Sequence, residues 1–168
     1  MTFQELVLRH RGYIPELCML CLDPGETTGA AVFQQGKIIW RDQLITKDVP
    51  QGIRSIQEKM VTFNPHLIVY EDYRVYGWKV KQHSWAALHT PKLIGGIDAL
   101  AFLSLTPTIK RMAVAAKTFC TDDKLKEWGF YSPANRHSND AVRHGCYTLL
   151  FDKHPTLQAD YAPPTTQP

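Results

Sequence analysis

Residues Leu17 to Leu22 read Leu-Cys-Met-Leu-Cys-Leu, and the run stops abruptly at Asp23-Pro24-Gly25. A short, continuously apolar run bounded by turn residues has the pattern of a strand buried on both faces, although periodicity alone also allows a buried helical turn. Such a strand belongs in a sheet with cover on either side. It also delivers a carboxylate, Asp23, to the exit of the most buried element of the chain.

Two further apolar runs, Ala30 to Phe33 and Lys37 to Trp40, flank Gln34-Gln35-Gly36 and read as a hairpin. Ile53, Ile56 and Met60 recur at helical spacing up to Asn64-Pro65, and His66 to Tyr70 then predicts a fourth strand that ends at Glu71. Leu93, Ile97, Leu100 and Ala101 mark a helix after Pro91, Thr108 to Val114 a fifth strand, and Lys124 to Trp128 a short helix. A last helix is expected to begin near Ser138-Asn139, both good N-cap residues, and to bury Val142, Cys146, Leu149 and Leu150. An antiparallel hairpin joined to alternating helices and strands makes a mixed five-stranded α/β sheet flanked by helices. Residues 1–16 read as an N-terminal extension, 17–154 as the domain, and the Pro-rich residues 155–168 as a disordered tail.

At 168 residues and 44% hydrophobic content, one domain with a real core is expected, and a disordered or disulfide-stapled protein is not. Cys18 and Cys21 form a CxxC within a strand, where i and i+3 point to opposite faces, so buried reduced thiols are expected rather than zinc or redox chemistry. The apolar runs are too short to span a bilayer, and the first residues lack the order of a secretory signal.

Three acids stand where chemistry is often placed. Asp23 and Glu71 close two strands, and Asp140 lies in the first turn of the last helix. Each alone has an ordinary reading: a turn starter, a solvated strand end, a complement to a helix dipole. If the two strands are neighbours, however, their carboxylates emerge together, and two bare carboxylates about 4 Å apart repel by roughly 4 kcal/mol at an effective dielectric near 20. Such a cluster requires a cation, a shared proton or a basic partner, and carboxylate oxygens suit Mg²⁺ or Mn²⁺.

The strand ending in Asp23-Pro24-Gly25 with Gly29 beyond it, Val69-Tyr70-Glu71, and His137-x-x-Asp140-Ala141 together resemble the RuvC-like Holliday junction resolvases of the ribonuclease H-like superfamily, particularly phage and bacterial single-domain members. The resemblance covers roughly Leu17 to Lys153. It implies a ribonuclease H-like fold and a cytoplasmic homodimer in a bacterium or a phage-infected host. It also implies two Mg²⁺ ions per site, with Mn²⁺ as a substitute, and symmetric cleavage of four-way DNA junctions in recombination and repair. Asp23, Glu71, His137 and Asp140 would then be catalytic metal ligands, and Lys117 a partner for the scissile phosphate.

Residues 72–90 interleave aromatic and basic side chains, a composition suited to stacking on bases and neutralising phosphates. Tyr73, Arg74, Tyr76, Lys79 and Lys81 are the nucleic-acid-binding candidates there, while Trp78 and Trp85 are expected to anchor the segment. Three other readings stay open: a ribonuclease H-like nuclease for other branched or hybrid substrates, a junction-binding module without turnover, and an actin-like phosphotransferase. The last requires a duplicated domain, and no internal repeat is present. The net charge of +3 conceals a polarity: Arg74 to His144 holds 11 basic and 5 acidic residues, whereas the rest of the chain carries a net negative charge.

Overall fold

The computed structural model describes residues 1–73 and 88–162. Five strands, β1 (Cys18–Asp23), β2 (Thr27–Gln34), β3 (Lys37–Ile45), β4 (Leu67–Glu71) and β5 (Thr108–Arg111), form one sheet in the order β3-β2-β1-β4-β5. β1, β2 and β3 are antiparallel neighbours, whereas β1 with β4 and β4 with β5 run parallel. This is the mixed sheet that the hairpin and the alternating elements predict. At the hairpin tip Gln35 and Gly36 both have positive φ, 49° and 72°, as a two-residue turn matching the strand twist demands.

β1 lies at the centre, and its alternation feeds two cores. Met19 and Cys21 face one side with Ala31, Phe33, Leu67 and Val69. Leu20 and Leu22 face the other with Ala30, Val32, Ile68 and Tyr70. Helices α2 (Val49–Phe63) and α3 (His89–Leu103) cover the second face with Ile56, Leu93 and Ile97. The first face is covered by α1 (Phe3–Arg11) and α6 (Arg136–Phe151), with Leu125 of α5 (Asp122–Glu127). Cys18 and Cys21 accordingly belong to different cores, and all four cysteines are buried and free. Burial pushes the Cys18 thiol up to about 11.

The expected fifth strand ends early. β5 stops at Arg111, which pairs with Glu71, the last residue of β4, and the Ala-rich segment beyond it forms α4 (Ala113–Phe119). Without a partner strand, helical propensity decides. α6 starts at Arg136, ahead of Ser138-Asn139, and those two side chains do not cap it. Arg41 of β3 takes them, donating to Ser138 Oγ (3.0 and 2.8 Å) and Asn139 Oδ1 (2.6 Å).

Residues 1–16 share the main core. α1 opens with a capping box between Thr2 and Glu5, ends at Gly12 with φ 82°, and buries Phe3 and Val7 beside α6. Arg11 donates to the carbonyls of Thr148, Leu149 and Asp152 at the end of α6. Within the Pro-rich tail, residues 155–157 form a short turn that buries Leu157, whose carbonyl accepts a hydrogen bond from Tyr13 (2.9 Å). Among the described residues, no helix is long and apolar enough to cross a membrane.

Candidate active site

Parallel pairing places Leu22 opposite Tyr70, so the next residues, Asp23 and Glu71, leave adjacent strands at the same sheet edge. α6 supplies the third carboxylate. It lies close over the sheet because a Cβ at Gly145 would come 2.3 Å from the Phe33 ring and 2.9 Å from Cys21 Sγ. Its first turn rests on β2, where a Cβ at Gly29 would come 1.9 Å from the His137 carbonyl oxygen. With Arg41 holding Ser138 and Asn139, these approaches hold the first turn of α6, and with it Asp140, against the sheet beside Asp23 and Glu71.

A second anchor fixes the turn that follows Asp23. Thr28 and Thr46 share a hydrogen bond of 2.7 Å, and both hydroxyls reach the Gly25 carbonyl. His89 Nε2 lies 2.6 Å from the Thr46 carbonyl, tying α3 to the same corner.

Lys117 of α4 lies between two of the acids, with Nζ 3.3 Å from Glu71 Oε2 and 3.2 Å from Asp140 Oδ2. Asp140 also pairs with Arg143, one turn along α6, and Arg143 continues to Asp122 and to the Cys120 carbonyl. Glu71 Oε2 meets His144 Nε2 at 3.1 Å. Asp23 has no hydrogen-bond donor among the described residues. Burial, followed by repulsion from Glu71 and Asp140, raises its pKa to about 7. Burial also pushes Glu71 upward, but the His144 hydrogen bond and the Lys117 charge outweigh it and hold this group below its ordinary value. For Lys117, burial opposes the charge, yet the three carboxylates hold its pKa above the usual lysine value.

Among the described residues, no three His, Cys, Asp or Glu side chains are already gathered as a metal cage. Lys117 holds the space between Glu71 and Asp140 and offsets part of their charge. The donor chemistry nevertheless fits a hard divalent cation: a half-buried carboxylate without a donor faces two more carboxylates across a cluster short of positive charge.

Of the residues singled out from sequence, Asp23, Glu71, Asp140 and Lys117 converge. His137 lies one turn before Asp140, on the same side of α6, with an exposed side chain; its backbone N–H donates to Gln43 Oε1 (3.1 Å), and its ring makes no hydrogen bond or ion pair among the described residues. Tyr73 packs against the core around Tyr70, and its N–H donates to Asp72. Arg74, Tyr76, Trp78, Lys79, Lys81 and Trp85 lie outside the described residues. Sequence reasoning passed over Arg143 and His144. Their spacing from Asp140, i+3 and i+4, was the available signal, since such neighbours share a helix face.

The sheet order and the flanking helices define a ribonuclease H-like domain. Within that class the chain has the RuvC-like resolvase fold. RuvC of Thermus thermophilus in complex with a Holliday junction substrate superimposes with a TM-score of 0.63 at 15% identity, covering 78% of this chain and 94% of that one. The yeast mitochondrial Holliday junction resolvase gives 0.51 at 13% identity over 86% and 83% of the two chains. The fowlpox virus Holliday junction resolvase gives 0.50 at 17% identity over 78% and 96%. No protein-family model matches the sequence, and no curated protein sequence does.

Proposed function

We propose that this chain is a divalent-metal-dependent, structure-selective DNA endonuclease that resolves four-way junctions by paired, symmetric phosphodiester cleavage as a homodimer. The observation that carries the reading is the convergence of Asp23, Glu71 and Asp140 with Lys117 at one edge of a RuvC-like sheet. The neighbour of that fold bound to a Holliday junction substrate points to branched DNA as the partner.

Asp23, Glu71 and Asp140 would hold the cations, with His137 a further donor one turn from Asp140. Bound Mg²⁺ or Mn²⁺ supplies a water of lowered pKa and neutralises charge at the attacked phosphate. The chain's own contribution is placement. β1 and β4 present two carboxylates from rigid, buried strands, and α6 brings the third. Lys117, held beside Glu71 and Asp140, would be the ammonium placed to meet a phosphate drawn to them and to offset the charge that builds up during displacement. Two copies related by a twofold axis match a substrate with two equivalent strands to cut.

The deciding experiment digests four-way, three-way, flap, linear duplex and RNA–DNA substrates side by side with Mg²⁺ or Mn²⁺, with the oligomeric state measured in parallel. Paired nicks restricted to the four-way junction are expected from a dimer. Equal cutting of the other branched or hybrid substrates replaces the reading with a broader nuclease. Tight junction binding without metal-dependent cleavage replaces it with a binding module.

A further inference from the structure

His144 is 0% exposed, one turn beyond Asp140 on α6, and its two ring nitrogens have unequal surroundings. Nε2 lies 3.1 Å from Glu71 Oε2, whereas Nδ1 is buried with no hydrogen-bond partner among the described residues. A buried polar atom without a partner destabilises a fold, and a hydrocarbon side chain of similar volume would avoid that cost. Stability alone therefore does not account for a histidine at this point of the core. What the ring does supply is one N–H aimed at Glu71.

The two groups that hold Glu71 differ in rigidity. Lys117 reaches it from α4 on a long side chain that is 41% exposed, while His144 reaches it from inside the buried face of α6. Both meet the same oxygen, Oε2. A cation entering the cluster would compete by charge with the Lys117 ammonium for Glu71, whereas the buried imidazole would remain to fix the carboxyl. We infer that His144 is a positioning residue: its Nε2–H holds Glu71 Oε2 so that the other oxygen, Oε1, is presented to a divalent cation. The inference rests on the reading of Glu71 as a metal ligand, and it adds a residue that the acidic cluster alone does not identify.

The test compares the full-length wild type with His144→Leu, His144→Phe and His144→Gln. Melting temperature is followed in EDTA and then during titration with Mn²⁺ alone, and the Mg²⁺ concentration giving half-maximal junction cleavage is measured separately. His144→Leu is expected to melt at or above the wild-type temperature in EDTA, yet to need about 10-fold or more Mn²⁺ for the same shift, the usual scale for losing a group that orients a ligand. The half-maximal Mg²⁺ concentration should rise in step. His144→Gln, whose amide N–H can take the place of Nε2–H, should recover a large part of the loss. A His144→Leu protein that titrates like the wild type overturns the inference. So does loss of folding in both His144→Leu and His144→Phe, which would make the histidine structural. If the wild type shows no metal-dependent shift at all, the metal-ligand reading of Glu71 falls first and this inference with it.

Discussion

Asp23 carries the conflict on which the site depends. It is a half-buried carboxylate with no donor among the described residues, raised to about 7 by burial and by repulsion from Glu71 and Asp140. Replacing it with asparagine removes charge and little else, so two properties should move in opposite directions. Asp23→Asn should abolish cleavage in a junction assay while largely sparing junction binding, and it should raise the melting temperature in EDTA by roughly 2 to 4 °C for each kcal/mol of repulsion relieved. A melting temperature that falls would mean that the Asp23 carboxylate stabilises the metal-free protein. This residue was legible in the sequence because a strand exit and a turn sit together there. The place of Lys117 between Glu71 and Asp140 was not, because the residues before it read as the end of a strand and are instead the helix α4, which turns the side chain toward both acids.

Elements place these side chains through close approaches that only glycine allows. Gly29 admits the first turn of α6, since a Cβ there would lie 1.9 Å from a backbone oxygen that has no flexible end to yield. Gly29→Ala should therefore lower stability by about 2 kcal/mol or more and cost cleavage beyond that loss, as Asp140 shifts with its helix. Gly95 serves as the control. Among the described residues outside its own helical turn, nothing lies within 4 Å of a Cβ at Gly95 in the middle of α3, so Gly95→Ala should stabilise the protein by about 0.5 to 1 kcal/mol in chemical denaturation. Its neighbour Gly96 packs against Ile53 of α2, where a Cβ would come 2.3 Å from a side-chain methyl. The Gly95-Gly96 pair was visible in the sequence, but which glycine faces the neighbouring helix depends on the rotation of α3. The same holds at Ser138-Asn139, whose capping chemistry was legible while Arg41, almost a hundred residues away, claims both side chains.

At the scale of the whole molecule, the N-terminal segment behaves as part of the domain. Phe3 and Val7 are buried against α6, and the burial of such side chains contributes roughly 1.5 to 3 kcal/mol each. Arg11 further donates to the Leu149 carbonyl in the last turn of α6, where intrahelical donors run out, and to the carbonyls of Thr148 and Asp152 beside it. Deletion of residues 1–12 should lower the unfolding midpoint substantially in thermal or urea denaturation. An unchanged midpoint would mark the segment as an appendage after all. The uneven charge of the chain has a separate consequence. The net basic composition of Arg74 to His144 should make junction binding weaken as salt rises, with the slope of log affinity against log salt reporting the number of phosphates contacted.

The sequence by itself determined the order of the five strands and of α2, α3, α5 and α6, the buried central strand and the three carboxylates at element ends, because hydrophobic periodicity and turn residues act locally. It also carried the likeness on which the fold assignment was expected. Only the tertiary structure decided that β1 and β4 are parallel neighbours in the register that brings Asp23 beside Glu71, and that α4 turns Lys117 between Glu71 and Asp140. It alone set His144 against Glu71 from inside the core. Those facts depend on strand pairing and helix rotation, which are fixed by contacts between residues 23 to 73 positions apart, and no local pattern encodes which of several compatible partners a side chain will meet.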